Sequence, residues 1–539
     1  MASIPFSSEA GLPQAPLDDP ETMASRRKYL IFAVMAFGQF MALIDIQIVA
    51  ASLNEVQAGL SAAPDEISWV QTAYLMAELV MIPFSAFLTQ ALSTRWVFAL
   101  SAGLFTLSSV LCGMAWSIES MIAFRALQGF VGGAMVPTVF STGYVLFSGK
   151  QRAMIPAILG MVSVLAPTLG PTVGGWITDA WGWRWIFYIN VVPGALVCVA
   201  SLALIRIDRA ALGMLRRLDW VHLASMAAFL AGLEYVLEEG PKNGWLDDSG
   251  IAVGVWLTLL SFGLFLERSF RSSGPIVVLT PFRNATFAFA CVFNLVIGFG
   301  IYAGTYLVPL FLGRVRGYNA SEIGTTVFIS GIAQLLGVPL AAALSQRVDP
   351  RFVITAGLTL FAAGLWLFSF MTPEWGFAAL FWPQVVRSFA IMLCIVPSVG
   401  LALGHFAGPQ LRYASALFNL MRNLGGAIGI AVVTTWLDDF GRLHYLRLGE
   451  AMGASPREAV AFVTALAGRM TSYTPDADRA RQIAEALLAQ LTRREALTLA
   501  FDDVFRLMAY AFLAALMLVP LCRPAPVEGA KGTAAEGAH

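Results

Sequence analysis

Gly160-Met161-Val162-Ser163-Val164-Leu165-Ala166-Pro167-Thr168-Leu169-Gly170-Pro171-Thr172-Val173-Gly174-Gly175 lies inside one apolar run, yet it is dense in glycine and proline. Such residues break an isolated helix in water. In lipid a helix keeps them, because neighbouring helices and local backbone adjustments re-satisfy the freed groups and small residues let two backbones approach closely. The stretch reads as a bent, tightly packed membrane helix between two bodies that move against each other.

Its surroundings agree. The chain of 539 residues is 58% hydrophobic and 13% charged, with a mean hydropathy of +0.72. A soluble domain carries roughly 25% charged residues, so this is a polytopic membrane protein. With 34 basic and 34 acidic residues, the balance gives no electrostatic footprint for nucleic acid. Cys112, Cys198, Cys291, Cys394 and Cys522 are scattered without CxxC or metal-ligand spacing and read as small core residues; no metal or cofactor is expected.

Residues 1–25 lack an apolar region, so no cleavable signal is expected, and Arg26-Arg27-Lys28 before the first span places the N-terminus in the cytoplasm. Apolar runs of about 20 residues occur near 29–51, 67–91, 96–116, 120–147, 153–180, 185–205, 218–237, 250–267, 285–312, 322–346, 352–371, 376–404, 413–436 and 499–521. An even number of spans, fourteen here, returns the C-terminus to the cytoplasm. The cytoplasmic segments so assigned hold Arg206, Arg209, Arg216 and Arg217, then Arg268, Arg271 and Arg283, whereas the short external loops hold only Arg184, Lys242, Arg314 and Arg316. That asymmetry supports the orientation.

The predicted organisation is an all-helical fold. A cytoplasmic tail (1–28) precedes a six-helix half (29–205), a linker with two additional helices (206–284) and a second six-helix half (285–521); a disordered tail (522–539) follows. The halves echo each other: Arg125 precedes Pro137 on span 4 and Arg387 precedes Pro397 on span 12. Repetition of this kind is how secondary transporters build a midplane site that opens alternately to either side. The external segment 437–498 is mixed in charge and carries two capping-box patterns, Ser455-Pro456-Arg457-Glu458 and Thr492-Arg493-Arg494-Glu495, which predict two or three amphipathic helices. It is either a tolerated loop or a lid or docking surface.

No catalytic constellation is present: the four histidines are far apart, and there is neither a Walker-type loop nor a GxSxG elbow. The informative residues are charges inside spans, each costing about 2.5–3.5 kcal/mol at a helix centre. Asp45 stands on span 1. Glu78 on span 2 shares a face with Gln71 and Tyr74. On span 4, Arg125, Gln128, Gly129 and Gly132 follow helical spacing, as do Asn419, Arg422, Asn423 and Gly426 on span 13. Desolvation favours a neutral carboxyl and a nearby guanidinium favours a charged one, so a carboxyl under both influences can carry a proton. Asp45 and Arg125 form either that device or a static buried pair. Asp45, Arg125 and Glu78 are the candidates for proton coupling; Gln39, Gln71, Tyr74, Gln128, Asn294, Arg387, Asn419, Arg422 and Asn423 are the candidate cavity residues. Glu234, Glu267, Asp438 and Asp439 lie near helix ends, where reaching to water suffices, and are left outside the site.

Several motifs carry a family resemblance. Met121 to Pro137 resembles the span-4 motif of the major facilitator superfamily, and Gly170-Pro171-Thr172-Val173-Gly174-Gly175 resembles its antiporter motif. Trp183 to Gly194 is similar to the signature of the fourteen-helix drug:proton antiporter branch. Gln71 to Glu78, with Leu218-Asp219-Trp220 and Glu238-Glu239-Gly240, resembles the EmrB subfamily. The resemblance spans about residues 29–521. It implies a major facilitator fold in a bacterial inner membrane, export of hydrophobic compounds driven by protons and, in Gram-negative members, an EmrA-type periplasmic adaptor leading to an outer-membrane channel. By position it assigns proton coupling to Asp45, the span-4 arginine to Arg125 and the antiporter motif to Gly170, Pro171, Gly174 and Gly175. The loop after span 2 departs from the family pattern: Ser85 to Arg95 lacks the usual Asp, so no charge-relay latch is expected there. Rival readings are an exporter of one endogenous metabolite, such as a siderophore or fatty-acid-like product, and a receptor or scaffold that does not transport.

Overall fold

Backbone polar groups inside lipid must be satisfied within the segment, so each long apolar run becomes a helix. The computed structural model describes residues 22–521 except 64, 65, 153, 273, 274, 407, 455 and 471–475. Among these residues, thirteen helices are long and apolar enough to cross a membrane. One further helix of 27 residues, Ile155–Trp181, covers the Gly/Pro-rich stretch and runs unbroken through it.

The first half consists of α1 (Ser25–Ala51), α2 (Trp69–Leu92), α3 (Thr94–Gly113), α4 (Ile118–Leu146), α5 (Ile155–Trp181) and α6 (Val191–Leu204). The inserted pair is α7 (Trp220–Glu239) and α8 (Ser249–Arg271). The second half consists of α9 (Ala285–Phe311), α10 (Ala320–Arg347), α11 (Pro350–Phe368), α12 (Phe377–Leu403) and α13 (Gly408–Ala454), closed by α15 (Ala477–Ala515) after the short α14 (Pro456–Met470).

Local chemistry fixes many of these boundaries. Ser117 and Ser120 form a reciprocal cap at the start of α4, and Asn319 with Glu322 does the same for α10. A turn at Gly133 and Ala134 divides α4. Pro137 has no N–H for the Gly133 carbonyl, and the glycine pair gives the backbone room to turn.

The segment 437–498 differs from expectation. Most of it prolongs the flanking spans: α13 runs 47 residues to Ala454, and α15 starts at Ala477, well before its apolar part. Thr492-Arg493-Arg494-Glu495 therefore lies in a helix interior, where Thr492 Oγ1 donates to the Leu488 carbonyl at 2.8 Å instead of capping. No proline stands between 437 and 454, so α13 continues to Ala454 despite Gly441 and Gly449. The other capping pattern falls partly outside the described residues at Ser455, as do both terminal segments, 1–21 and 522–539, with Cys522.

The two halves meet along two seams. Helix α5 packs on α1 within its own half and on α10 and α12 of the other, while α13 packs on α2 and α4. Helix α7 packs on both α2 and α13, bridging the halves from outside. The apolar surface of α8, including Trp256 and Leu260, is exposed to the surroundings, as a lipid-facing helix requires.

Candidate functional site

Arg125 and Gln128 stand three residues apart on α4 and so share a face. Gly129 beside them lets α2 come close; a Cβ there would meet the Tyr74 carbonyl oxygen, so only glycine fits. The approach lays the Arg125 guanidinium over the Tyr74 ring, 4.2 Å from its centroid. Arg125 Nη1 donates to Asp45 Oδ2 at 2.7 Å and to Gln128 Oε1 at 2.8 Å, and Nε donates to the Val70 carbonyl at 3.2 Å. Both partners of the ion pair are 0% exposed.

The second oxygen of Asp45 is also held. Its Oδ1 accepts from Gln128 Nε2 at 3.2 Å and from Asn190 Nδ2 at 2.7 Å, and Asn190 in turn donates to Ser109 Oγ at 3.1 Å. Every partner of Asp45 is thus an N–H donor. Protonating the carboxylate would replace an acceptor by a donor and leave one of these N–H groups unmatched in a buried site. Such a cluster would have to rearrange in order to take up a proton. Asn190 sits in the Trp183–Gly194 motif, but sequence reading gave it no role; its place before α6 is what turns it toward α1.

A cavity of about 130 Å³ lies beside this cluster between the halves. It is lined by Leu43, Ile46 and Gln47 of α1, Glu78 of α2, Tyr302 and Thr305 of α9, and Arg422 and Asn423 of α13. Helix α7 adds Glu234 and Glu238. The expectation that Glu234 reaches water is therefore corrected. The residue is only 5% exposed, because α7 continues past it to Glu239 and its charged end is closed by Lys242 on Glu238 and Glu239.

The remaining cavity candidates separate into groups. Arg422 and Asn423 line the cavity, with Arg422 Nη2 donating to Asn419 Oδ1 at 2.9 Å. Asn419 itself faces its own helix, donating to the Ser415 carbonyl at 2.9 Å. Tyr74 and Gln128 belong to the Asp45 cluster. Gln39 Nε2 donates to Ser163 Oγ at 3.2 Å, which ties α1 to α5 at the cavity wall. Asn294 Nδ2 donates to the Phe418 carbonyl at 2.6 Å and joins α9 to α13, a packing contact outside the cavity lining. Gln71 has a buried Oε1 without a partner among the described residues and is likewise outside that lining. Arg387 lines a smaller neighbouring cavity, with Nε and Nη1 unpartnered among the described residues. The Asp45 cluster and the cavity residues are thus adjacent but distinct.

The glycines of the antiporter motif have unequal settings. A Cβ on Gly174 would stand 2.9 Å from the Ile48 carbonyl oxygen, and one on Gly170 would press into Gln47, so these two seat α5 on α1. Pro171 is half-buried between them, and a Cβ on Gly175 would meet nothing within 4 Å. Close packing therefore needs Gly170 and Gly174 but not Gly175.

At the end of the bundle where α1 begins, the halves are tied together. Arg412 Nη2 of α13 meets Asp208 Oδ2 at 2.5 Å, and Arg412 Nη1 donates to the Thr89 carbonyl at 3.3 Å. Asp208 also accepts from Thr94 N at 3.0 Å and Thr94 Oγ1 at 2.7 Å, capping α3. The residue before, Ser93, has φ +77°, in the left-handed region that favours glycine. The loop after α2 lacks its own Asp, and the carboxylate comes instead from the loop after α6. Arg152 to the Phe406 carbonyl and Ser415 to the Pro137 carbonyl complete the closure.

Comparison with known proteins agrees with this fold. Residues 35–430, and again 288–523, match the Major Facilitator Superfamily. The chain is 38% identical over 485 residues to the colistin resistance protein EmrB of Acinetobacter baumannii, covering 90% of this chain and 94% of that one. It is 26% identical over 507 residues to the multidrug export protein EmrB of Escherichia coli K12, covering 94% and 96%. Among solved structures, the human organic anion transporter MFSD10 aligns with a TM-score of 0.59 at 12% identity, over 91% of this chain and 99% of that one.

Proposed function

The chain belongs to the Major Facilitator Superfamily, and from that premise we propose that this multi-pass membrane transporter, which is not an enzyme, exports hydrophobic drugs or toxic compounds across a bacterial inner membrane in exchange for protons. The observation that carries the reading is the Asp45–Arg125 cluster: a fully buried carboxylate surrounded only by donors, next to a cavity between two half-bundles.

The basic residues before α1 and after α6 support a cytoplasmic placement for the end tied by Asp208 and Arg412. In this arrangement the cytoplasmic side is shut and the proton reaches Asp45 from outside. Its arrival releases Arg125, and the halves rearrange to open the cavity inward. Substrate from the cytoplasm or inner leaflet then displaces the proton. Each proton moving down 100 mV contributes about 2.3 kcal/mol. Helix α5, seated on α1 and against α10 and α12, limits leak between the two states. The helical extension of α13 and α15 beyond the bundle offers a surface for an EmrA-type periplasmic adaptor that leads to an outer-membrane channel; lipid covers the exposed apolar faces.

Purified protein in liposomes with a trapped pH dye, challenged with hydrophobic weak acids and cations, tests the reading. Substrate-dependent proton flux in wild type and its loss in Asp45→Asn are expected. An exporter of one metabolite would move protons with a single compound class, and a scaffold with none.

A further inference from the structure

We infer that Glu234 sets the charge selectivity of the cavity, making it a subsite for lipophilic cations, and that the inserted helix α7 thereby takes part in substrate recognition; this rests on the export reading above. Three carboxylates, Glu78, Glu234 and Glu238, line the cavity against one guanidinium, Arg422. Their situations differ. Glu78 feels the charge of the Arg422 guanidinium across the cavity. Glu238 meets Lys242 at 3.4 Å.

Glu234 has neither kind of partner. It is 5% exposed, lines the cavity, and its Oε2 has no hydrogen-bond donor among the described residues. A buried carboxylate oxygen left unpartnered is expensive unless a proton or a cation meets it, so a bound cation takes the proton's place. Leu43, Ile46, Leu75, Leu79 and Ile430 make much of the wall apolar, with neutral polar groups from Gln47, Ser163, Thr305 and Asn423 among them. A largely apolar pocket with one unmatched carboxylate selects a bulky hydrophobic cation over an anion of the same shape. At about 130 Å³ the cavity is smaller than the roughly 300–1,000 Å³ of drug-sized sites, so binding goes with separation of the halves.

Tetraphenylphosphonium and tetraphenylborate have nearly the same size and hydrophobicity and opposite charge. Their binding to the full chain in nanodiscs tests the inference. Wild type should bind the phosphonium at least ten-fold more tightly than the borate, and Glu234→Gln should erase that preference. Glu234→Asp should restore part of it, and Glu239→Gln, on the next turn but outside the cavity, should keep it whole. Equal affinity for the two ions in wild type, or an unchanged preference in Glu234→Gln with the melting temperature intact, would overturn the inference. Proton flux in liposomes is a separate readout, so a cation subsite that fails leaves the exporter reading standing. If proton flux fails while ion selectivity holds, the export reading falls and the subsite remains.

Discussion

Replacing Asp208 by alanine should open the end of the transporter where α1 begins. The side chain makes two kinds of contact, which act on different equilibria. Its bonds to Thr94 cap α3 and lie within one half, so they persist in both states of the cycle and cancel from the conformational balance. Its ion pair with Arg412 joins the halves and exists only while that end is closed. The two side chains are 13% and 19% exposed, so the pair is only partly screened. A hydrogen bond between charged groups is worth about 1.5–3 kcal/mol, so the open fraction should rise roughly 10- to 150-fold. The bonds from Arg412 to Thr89 and from Ser415 to Pro137 remain, so the end is loosened rather than lost. The assay is maleimide labelling of Ala416→Cys, which lies 2% exposed in the cluster with Ala86 and Tyr413. Protein without the introduced cysteine reports the background from the native cysteines, Cys522 and half-buried Cys198 among them. Labelling should accelerate by the stated factor in Asp208→Ala and in Arg412→Gln, but not in Thr94→Ala. An unchanged rate in both charge variants would show that the pair does not hold the halves together.

Two further outcomes follow from local geometry. Gly174→Ala puts a Cβ 2.9 Å from a backbone oxygen that cannot move aside, so it should destabilise the protein by about 1–3 kcal/mol in a detergent thermal melt. Gly175→Ala meets open space and should leave the melting temperature unchanged or slightly raised. At the start of α7, the N–H of His222 donates to Asp219 and holds that carboxyl below its usual range, outweighing burial, which acts the other way. The cap therefore contributes fully above about pH 4 and is lost as the pH falls through the lowered value. The melting gap between wild type and Asp219→Ala should narrow below about pH 4, and a gap constant with pH would contradict this role.

What the sequence made legible was whatever a membrane makes rare. A charge inside a 20-residue apolar run stands out from one position alone, so Asp45, Arg125 and Glu78 could be named without knowing their neighbours. Helical spacing then placed Gln128 and Gly129 beside Arg125, and Arg422 beside Asn419. Residues near helix ends carry no such signal, because water explains them equally well. Glu234 was set aside for that reason, although one more turn of α7 buries it. Asp208 lies in a loop, 114 residues from Thr94 and 204 from Arg412, and no periodicity links those positions. The same limit applies to the 437–498 segment: hydropathy marks where a span leaves the membrane but not where its helix stops.

The central claim is that Asp45 couples protons to substrate movement, and the direct measurement compares two modes of one protein in liposomes. Asp45→Asn, with its carboxylate replaced by a neutral amide, should lose uphill substrate accumulation driven by an imposed pH gradient. It should keep proton-independent exchange of substrate for substrate, because the cavity is lined by other residues. Uphill transport at the wild-type rate in Asp45→Asn would contradict the account.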